Sequence, residues 1–157
     1  MVEYSIVARP DLCLGCPACE IACKQEHDIL VGPSLIRVIQ VGPEEVEGRL
    51  RLSFQLVRCM HCDKPDCIEA CPENAITKRI DGIVIINDKL CTGCGACIEA
   101  CPFEAPQYNP EKNVVVMCNL CVHRVDKGLK PACVLACPTG ALLFDDVNKV
   151  TEEASIL

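Results

Sequence analysis

The stretch "CTGCGACIEACP", residues 91–102, sets Cys91, Cys94, Cys97 and Cys101 at gaps of two, two and three residues, with Pro102 directly after. The same design appears three more times along the chain. "CLGCPACEIAC" carries Cys13, Cys16, Cys19 and Cys23; "CMHCDKPDCIEACP" carries Cys59, Cys62, Cys67 and Cys71; "CNLCVHRVDKGLKPACVLACP" carries Cys118, Cys121, Cys133 and Cys137. Every group begins C-x-x-C and ends C-x-x-x-C, and only the middle gap varies: two, four, two and eleven residues in chain order. "CIEACP" occurs at both 67–72 and 97–102, and C-P-x-x-A starts at Cys71, Cys101 and Cys137, whereas Lys24 stands where the first group would carry proline. Such self-similarity points to duplication of a small two-motif unit.

Sixteen cysteines in 157 residues, none left over, make thiol chemistry the organiser of the fold. Disulfides suit the even count but not a reducing compartment, and a repeated triplet spacing is no staple framework. Structural zinc suits C-x-x-C pairs, but zinc ribbons use two pairs set well apart. C-x2-C-x2-C-x3-C-P is the ligand run of bacterial [4Fe–4S] ferredoxins, in which the fourth cysteine serves the other cluster of a pair. One loop, Cys91 to Cys97, wraps three corners of a cubane. Gly93 and Gly95 allow close approach of the backbone. A short helix over 95–101 then carries Cys101 away, and Pro102 ends it. Motifs therefore work in pairs, and sixteen ligands hold four [4Fe–4S] clusters.

The rest of the inventory fits a core built around something other than side chains. Half the residues are apolar, yet aromatics are 3% and tryptophan is absent. The formal charge of −7 argues against nucleic-acid binding. No phosphate-cradling glycine loop occurs. No apolar run approaches the roughly 20 residues that span a bilayer, and "MVEYSIVARPD" is not a signal peptide. The expected compartment is the cytoplasm, unless a signal-bearing partner carries the chain out. Four oxidised clusters add about −8 relative to neutral thiols, taking the chain to about −15, which favours low potentials.

Between the motifs the sequence reads as hairpins. Asp81 and Gly82 sit between two short apolar runs in 75–86, and 107–117 repeats the idea around Asn109 and Pro110. Residues 142–144 read as a last strand, and Val2, Tyr4 and Ile6 as a weaker one. The longest cysteine-free stretch, 24–58, holds strands over 35–41 and 49–57. In the second, Leu50, Leu52, Phe54 and Leu56 alternate with Arg49, Arg51, Ser53 and Gln55, the pattern of a half-buried strand with its apolar face in the core. The polar tail, 145–157, reads as a frayed surface segment. Of the histidines, His27, His61 and His123, the latter two lie beside cysteines, where solvated or capping roles are expected over cluster tuning or proton relay. Arg124, Lys127 and Lys130 lie in the long gap of the fourth group, either docking an acidic partner or simply solvated.

With these motifs the chain resembles the four-cluster iron–sulfur subunits of the dimethyl sulfoxide reductase type, polyferredoxins that partner molybdenum or tungsten pterin enzymes. The resemblance runs from Cys13 to Cys137, and its most specific part is "MCNLCVHRVDKGLKPACVLACPTGAL", 117–142. It implies an α+β fold of two pseudo-symmetric dicluster ferredoxin-like units, with small hairpins and short helices around four clusters. The inner unit covers about 58–117, the outer about 1–30 plus 118–145, and 31–57 is an inserted β-hairpin. It also implies nested pairing. Cluster 1 takes Cys13, Cys16, Cys19 and Cys137; cluster 2 takes Cys23, Cys118, Cys121 and Cys133. Cluster 3 takes Cys59, Cys62, Cys67 and Cys101; cluster 4 takes Cys71, Cys91, Cys94 and Cys97. Spacing alone also admits sequential pairing of the first group with the second and the third with the fourth. Cys94 stands where some relatives carry a tryptophan and a three-iron cluster.

The implied role is one-electron transfer by a non-catalytic subunit of a hetero-oligomer. One end faces a large molybdenum- or tungsten-pterin subunit, the other a flavin, ferredoxin or membrane redox module, with no nucleic acid and no direct membrane insertion. Without the C-terminal extension of membrane-docked relatives, a partner of the tungsten aldehyde oxidoreductase or benzoyl-CoA reductase kind is favoured. Alternatives are a hydrogenase, formate or carbon monoxide dehydrogenase system, a free polyferredoxin carrier, and a zinc-stabilised structural protein.

Overall fold

A computed structural model describes residues 2–29 and 31–155. Met1, Leu30, Ile156 and Leu157, which fall within the unit boundaries and tail expected above, lie outside the described residues. The chain forms a small α+β fold of short elements. In order they are β1 (Tyr4–Ala8), α1 (Ala18–Glu26), β2 (Ile36–Val46), β3 (Arg49–Arg58), α2 (Asp66–Glu69), β4 (Ile76–Lys78) and β5 (Val84–Ile86). There follow α3 (Ala96–Glu99), β6 (Gln107–Asn109), β7 (Val114–Val116), α4 (Val122–Val125), α5 (Ala132–Ala136), β8 (Leu142–Asp146) and α6 (Val147–Ser155).

Among the described residues the strands pair as four separate antiparallel ribbons: β1 with β8, β2 with β3, β4 with β5 and β6 with β7. Isolated two-stranded ribbons are marginal in water. They hold here by packing around the cysteine loops. The β1–β8 ribbon joins the two ends of the chain, with Tyr4 opposite Asp146 and Ala8 opposite Leu142. Tyr4 stacks on Phe144 with ring centroids 5.3 Å apart. The Tyr4 N–H donates to the Asp81 carbonyl at 3.1 Å, so the turn of the β4–β5 hairpin is tied to this outer ribbon. Helix α1 packs on α5, and α2 on α3. Thus each of these cysteine-bearing helices meets the helix of another motif, which brings distant cysteines together.

The core mixes aliphatic side chains with thiols: Ile6, Ile36, Ile83, Val84, Val115 and Leu120 are fully buried beside Cys19, Cys59, Cys97, Cys118 and Cys133. Two expectations are corrected. The apolar face of β3 is core only near its end. Phe54 and Leu56 are half-buried, but Leu50 is 79% and Leu52 50% exposed, because the β2–β3 hairpin outruns the body it starts from. The tail is not frayed at 147–155. There Asp146 accepts the Asn148 N–H at 3.0 Å as a helix cap, α6 forms, and Val150 packs with 0% exposure.

Candidate iron–sulfur sites

In each C-x-x-C, the residue before the second cysteine adopts a left-handed backbone: Gly15 at φ +70°, His61 at +51°, Gly93 at +70° and Leu120 at +54°. The turn points amides back at the first sulfur. The His61 N–H donates to Cys59 Sγ at 3.4 Å, and that of Leu120 acts on Cys118. Glycine signals this turn in two motifs. In the other two, buried His61 and Leu120 adopt it against their intrinsic preference. Further amides reach the sulfurs from elements that follow the motifs: Ala75 to Cys71 at 3.3 Å, Val115 to Cys91 at 3.3 Å and Ala141 to Cys137 at 3.2 Å.

The sixteen cysteines are all free thiols. Three pockets are each lined by four of them. Cys13, Cys16, Cys19 and Cys137 line the first. Cys59, Cys62, Cys67 and Cys101 line another, closed by Pro65, Pro102 and Met117. Cys71, Cys91, Cys94 and Cys97 line the third, against Ile76, Ile86 and Val115. The remaining four also lie together: after burial itself, the charges of Cys118, Cys133 and Cys121 are the largest influences raising Cys23. Three of the quartets thus surround a space, and among the described residues no three His, Cys, Asp or Glu side chains form a single-ion cluster.

Neighbouring quartets feel one another. Cys19 acts on Cys23 and Cys133, Cys118 acts on Cys59, and Cys67 acts on Cys97. The quartets are thus within electrostatic reach in pairs: that of Cys13 with that of Cys118, that of Cys118 with that of Cys59, and that of Cys59 with that of Cys91.

Burial sets the ionisation of these thiols. It pushes Cys19, Cys97 and Cys121 up to about 11 and Cys59 and Cys133 up to about 12, and it raises Cys23 further. At Cys137 burial works upward too, but hydrogen bonds from Thr139, Ala141 and Leu142 together bring the thiol down. Buried thiolates of this density are stable only around a cationic centre. The donor set, all sulfur and disposed around pockets with amide donors, fits [4Fe–4S] cores.

The histidines are more engaged than expected. His61 is buried, and burial, with Arg58 and Lys78, pushes it down to about 3, so its ring is neutral at neutral pH. Its Nδ1 accepts the Val84 N–H at 3.0 Å, which leaves the proton on Nε2, a buried donor with no protein acceptor. His27 Nε2 lies 3.4 Å from Cys121 Sγ and its ring meets His123 edge-on. His123 and Arg124 share the Glu26 carboxylate at 2.7 and 3.0 Å, pinning the fourth-group loop to α1. Arg58, buried at the end of β3, carries no signal in the sequence that would mark it.

Comparison with known proteins agrees with these features. Residues 50–147 match the 4Fe-4S dicluster domain family, and residues 10–26 a 4Fe-4S binding domain. The chain is 37% identical to the B subunit of the polysulfide reductase of Wolinella succinogenes, over 93% of this chain and 78% of that protein. It is 34% identical to the B subunit of the anaerobic dimethyl sulfoxide reductase of Haemophilus influenzae, over 96% and 77%. It is 41% identical to the formate dehydrogenase-O iron-sulfur subunit of Escherichia coli K12 over 91% of this chain, and spans about half, 53%, of that protein's length. Among the described residues no helix is long and apolar enough to cross a membrane.

Proposed function

The chain belongs to the 4Fe-4S dicluster family of iron–sulfur electron-transfer subunits, and from that premise we propose that it is a four-cluster wire serving a molybdenum- or tungsten-pterin catalytic subunit. When bound, [4Fe–4S] clusters supply one-electron carriers. Cys13, Cys16, Cys19 and Cys137 hold the first; Cys23, Cys118, Cys121 and Cys133 the second; Cys59, Cys62, Cys67 and Cys101 the third; Cys71, Cys91, Cys94 and Cys97 the fourth. The observation that carries this reading is the set of four quartets, each taking one cysteine from a different motif.

Nested pairing makes two pseudo-symmetric units. The inner covers about 58–117, the outer about 1–30 plus 118–145, and 31–57 is an inserted hairpin. The β1–β8 ribbon and the α1–α5 packing support the outer unit; the α2–α3 packing supports the inner. Amide-to-sulfur bonds would offset part of the cluster charge, and the buried cysteines among the ligands would limit the access of water to the iron, least so at exposed Cys94. No substrate chemistry belongs to this chain: it passes electrons between a catalytic partner and a second redox module, in the cytoplasm. The names of its relatives, dimethyl sulfoxide reductase, polysulfide reductase and formate dehydrogenase, support a partner of that enzyme class.

The test is anaerobic isolation of the complex from native cells with analysis for Fe, Mo and W. About sixteen Fe per chain with Mo or W on a large co-purifying subunit is expected. The same iron with no such subunit would contradict the proposed partnership and favour a free carrier.

A further inference from the structure

We propose that Arg58 is a fixed positive charge that raises the reduction potentials of the two middle clusters, those of the Cys118 and Cys59 quartets. Arg58 closes β3 and is 6% exposed. Its Nη1 donates to the Cys59 carbonyl at 2.6 Å, and its Nη2 donates to the Ile6 carbonyl of β1. No Asp or Glu pairs with it among the described residues. A buried cation with no counter-charge is strongly disfavoured, and two neutral carbonyls do not neutralise it. What it does meet is sulfur. Its charge reaches Cys118 and Cys133 of one quartet, and the chain at Arg58 runs directly into Cys59 of the next, whose carbonyl Arg58 binds. Cys118 in turn acts on Cys59. Arg58 therefore stands at the seam between the outer and inner pairs of sites.

The direction of the effect follows from charge. One-electron reduction takes a cluster core from about +2 to about +1 and makes the ligated centre more negative. A nearby buried guanidinium stabilises that product more than the oxidised form. Burial matters, because an exposed charge would be screened. The clusters reciprocate as the counter-ion that Arg58 lacks in the protein. No comparable buried cation faces the other two quartets: Arg58 is the single buried Lys or Arg among the described residues. Arg58 thus raises the two middle centres, at the crossing between units, above where they would stand without it.

This inference rests on the ligand reading above, and the experiment separates the two. The full chain is isolated anaerobically in wild-type form and as Arg58→Gln and Arg58→Lys, iron is counted, and each is titrated with dithionite under potentiometric control with EPR readout. A wild-type count far from about sixteen Fe sinks the ligand reading whatever Arg58 does. With the clusters in place, Arg58→Gln shifts the reduction equilibrium of two clusters at least tenfold toward oxidation, about 59 mV for one electron, and leaves the other two in place. Arg58→Lys keeps the charge, loses the planar fork, and holds all four near wild type. Unchanged potentials in Arg58→Gln overturn the proposal, as does an equal shift of all four clusters. If Arg58→Gln sheds its clusters, Arg58→Lys decides. Wild-type potentials there support the charge role, and loss or shift there assigns Arg58 to backbone anchoring alone and overturns it.

Discussion

Gly93→Ala is the sharpest small perturbation of the cysteine loops. Gly93 sits between Cys91 and Cys94 at φ +70°, and a Cβ there would lie 2.6 Å from the Asn113 carbonyl oxygen. Two costs add. Left-handed backbone costs a non-glycine residue about 1–2 kcal/mol. Forcing a methyl against backbone that cannot rotate away costs about 1–3 kcal/mol more. Asn113 also leads into β7, whose Val115 N–H bonds Cys91 Sγ, so relief of the clash disturbs a sulfur contact. The sum, about 2–5 kcal/mol, is a large share of a domain's net stability. Gly95 is the internal control: at φ +83° it has nothing within 4 Å of a Cβ, so Gly95→Ala carries only the backbone cost of about 1–2 kcal/mol. Gly15→Ala falls between them, because its methyl meets the ring of half-buried Phe54, which can turn aside. The assay is anaerobic urea unfolding of the iron-loaded chains, followed by the visible absorbance of the clusters. Gly93→Ala should unfold at the lowest urea concentration and Gly95→Ala at the highest of the three variants. Equal midpoints for Gly93→Ala and Gly95→Ala would refute the close approach at Asn113.

Ligand crossing makes a non-additive prediction. Cys101→Ala with Cys59→Ala should cost one cluster, as either does alone, whereas Cys101→Ala with Cys91→Ala should cost two; iron analysis of the variants reads the difference. Arg79 binds both Asp81 and Asp126, joining the β4–β5 turn to the fourth-group loop. Arg79→Ala should unfold earlier than wild type in low salt, and the gap should narrow in high salt, because these pairs are partly exposed and screened. Removal of iron by a chelator under anaerobic conditions should cost most of the far-ultraviolet circular dichroism, since four separate ribbons then surround cavities lined by buried thiols. Retention of the full signal would mean that the chain folds on its aliphatic core alone.

What is legible in the sequence is whatever a local spacing dictates. The four cysteine groups, the Asp81 and Gly82 turn, the ribbon at 107–117 and the strand after Leu142 all follow from short-range patterns, and all are found. Glycine marks the left-handed turn at 15 and 93, but at His61 and Leu120 the same turn is imposed by burial among neighbours. No single-residue preference announces it. The alternation in β3 defines which residues share a face but not how far the hairpin extends beyond the body, so Leu50 and Leu52, expected in the core, are exposed. Helix α6 is not legible because it leans on a partner 143 residues away in sequence, where the Glu3 N–H meets the Asp146 carboxylate at 3.4 Å. Arg58 escapes notice for a related reason. Its neighbours Ile6, Cys118 and Cys133 come from both ends of the chain, and only the fold brings them to one place.

The central claim is that sixteen cysteines hold four one-electron centres. It is tested most directly by isolating the chain without oxygen, counting iron, sulfide and zinc per chain, and recording EPR after reduction. About sixteen iron and sixteen sulfide with signals that broaden through coupling between neighbouring centres is the predicted result. A colourless chain carrying zinc and silent on reduction would contradict it.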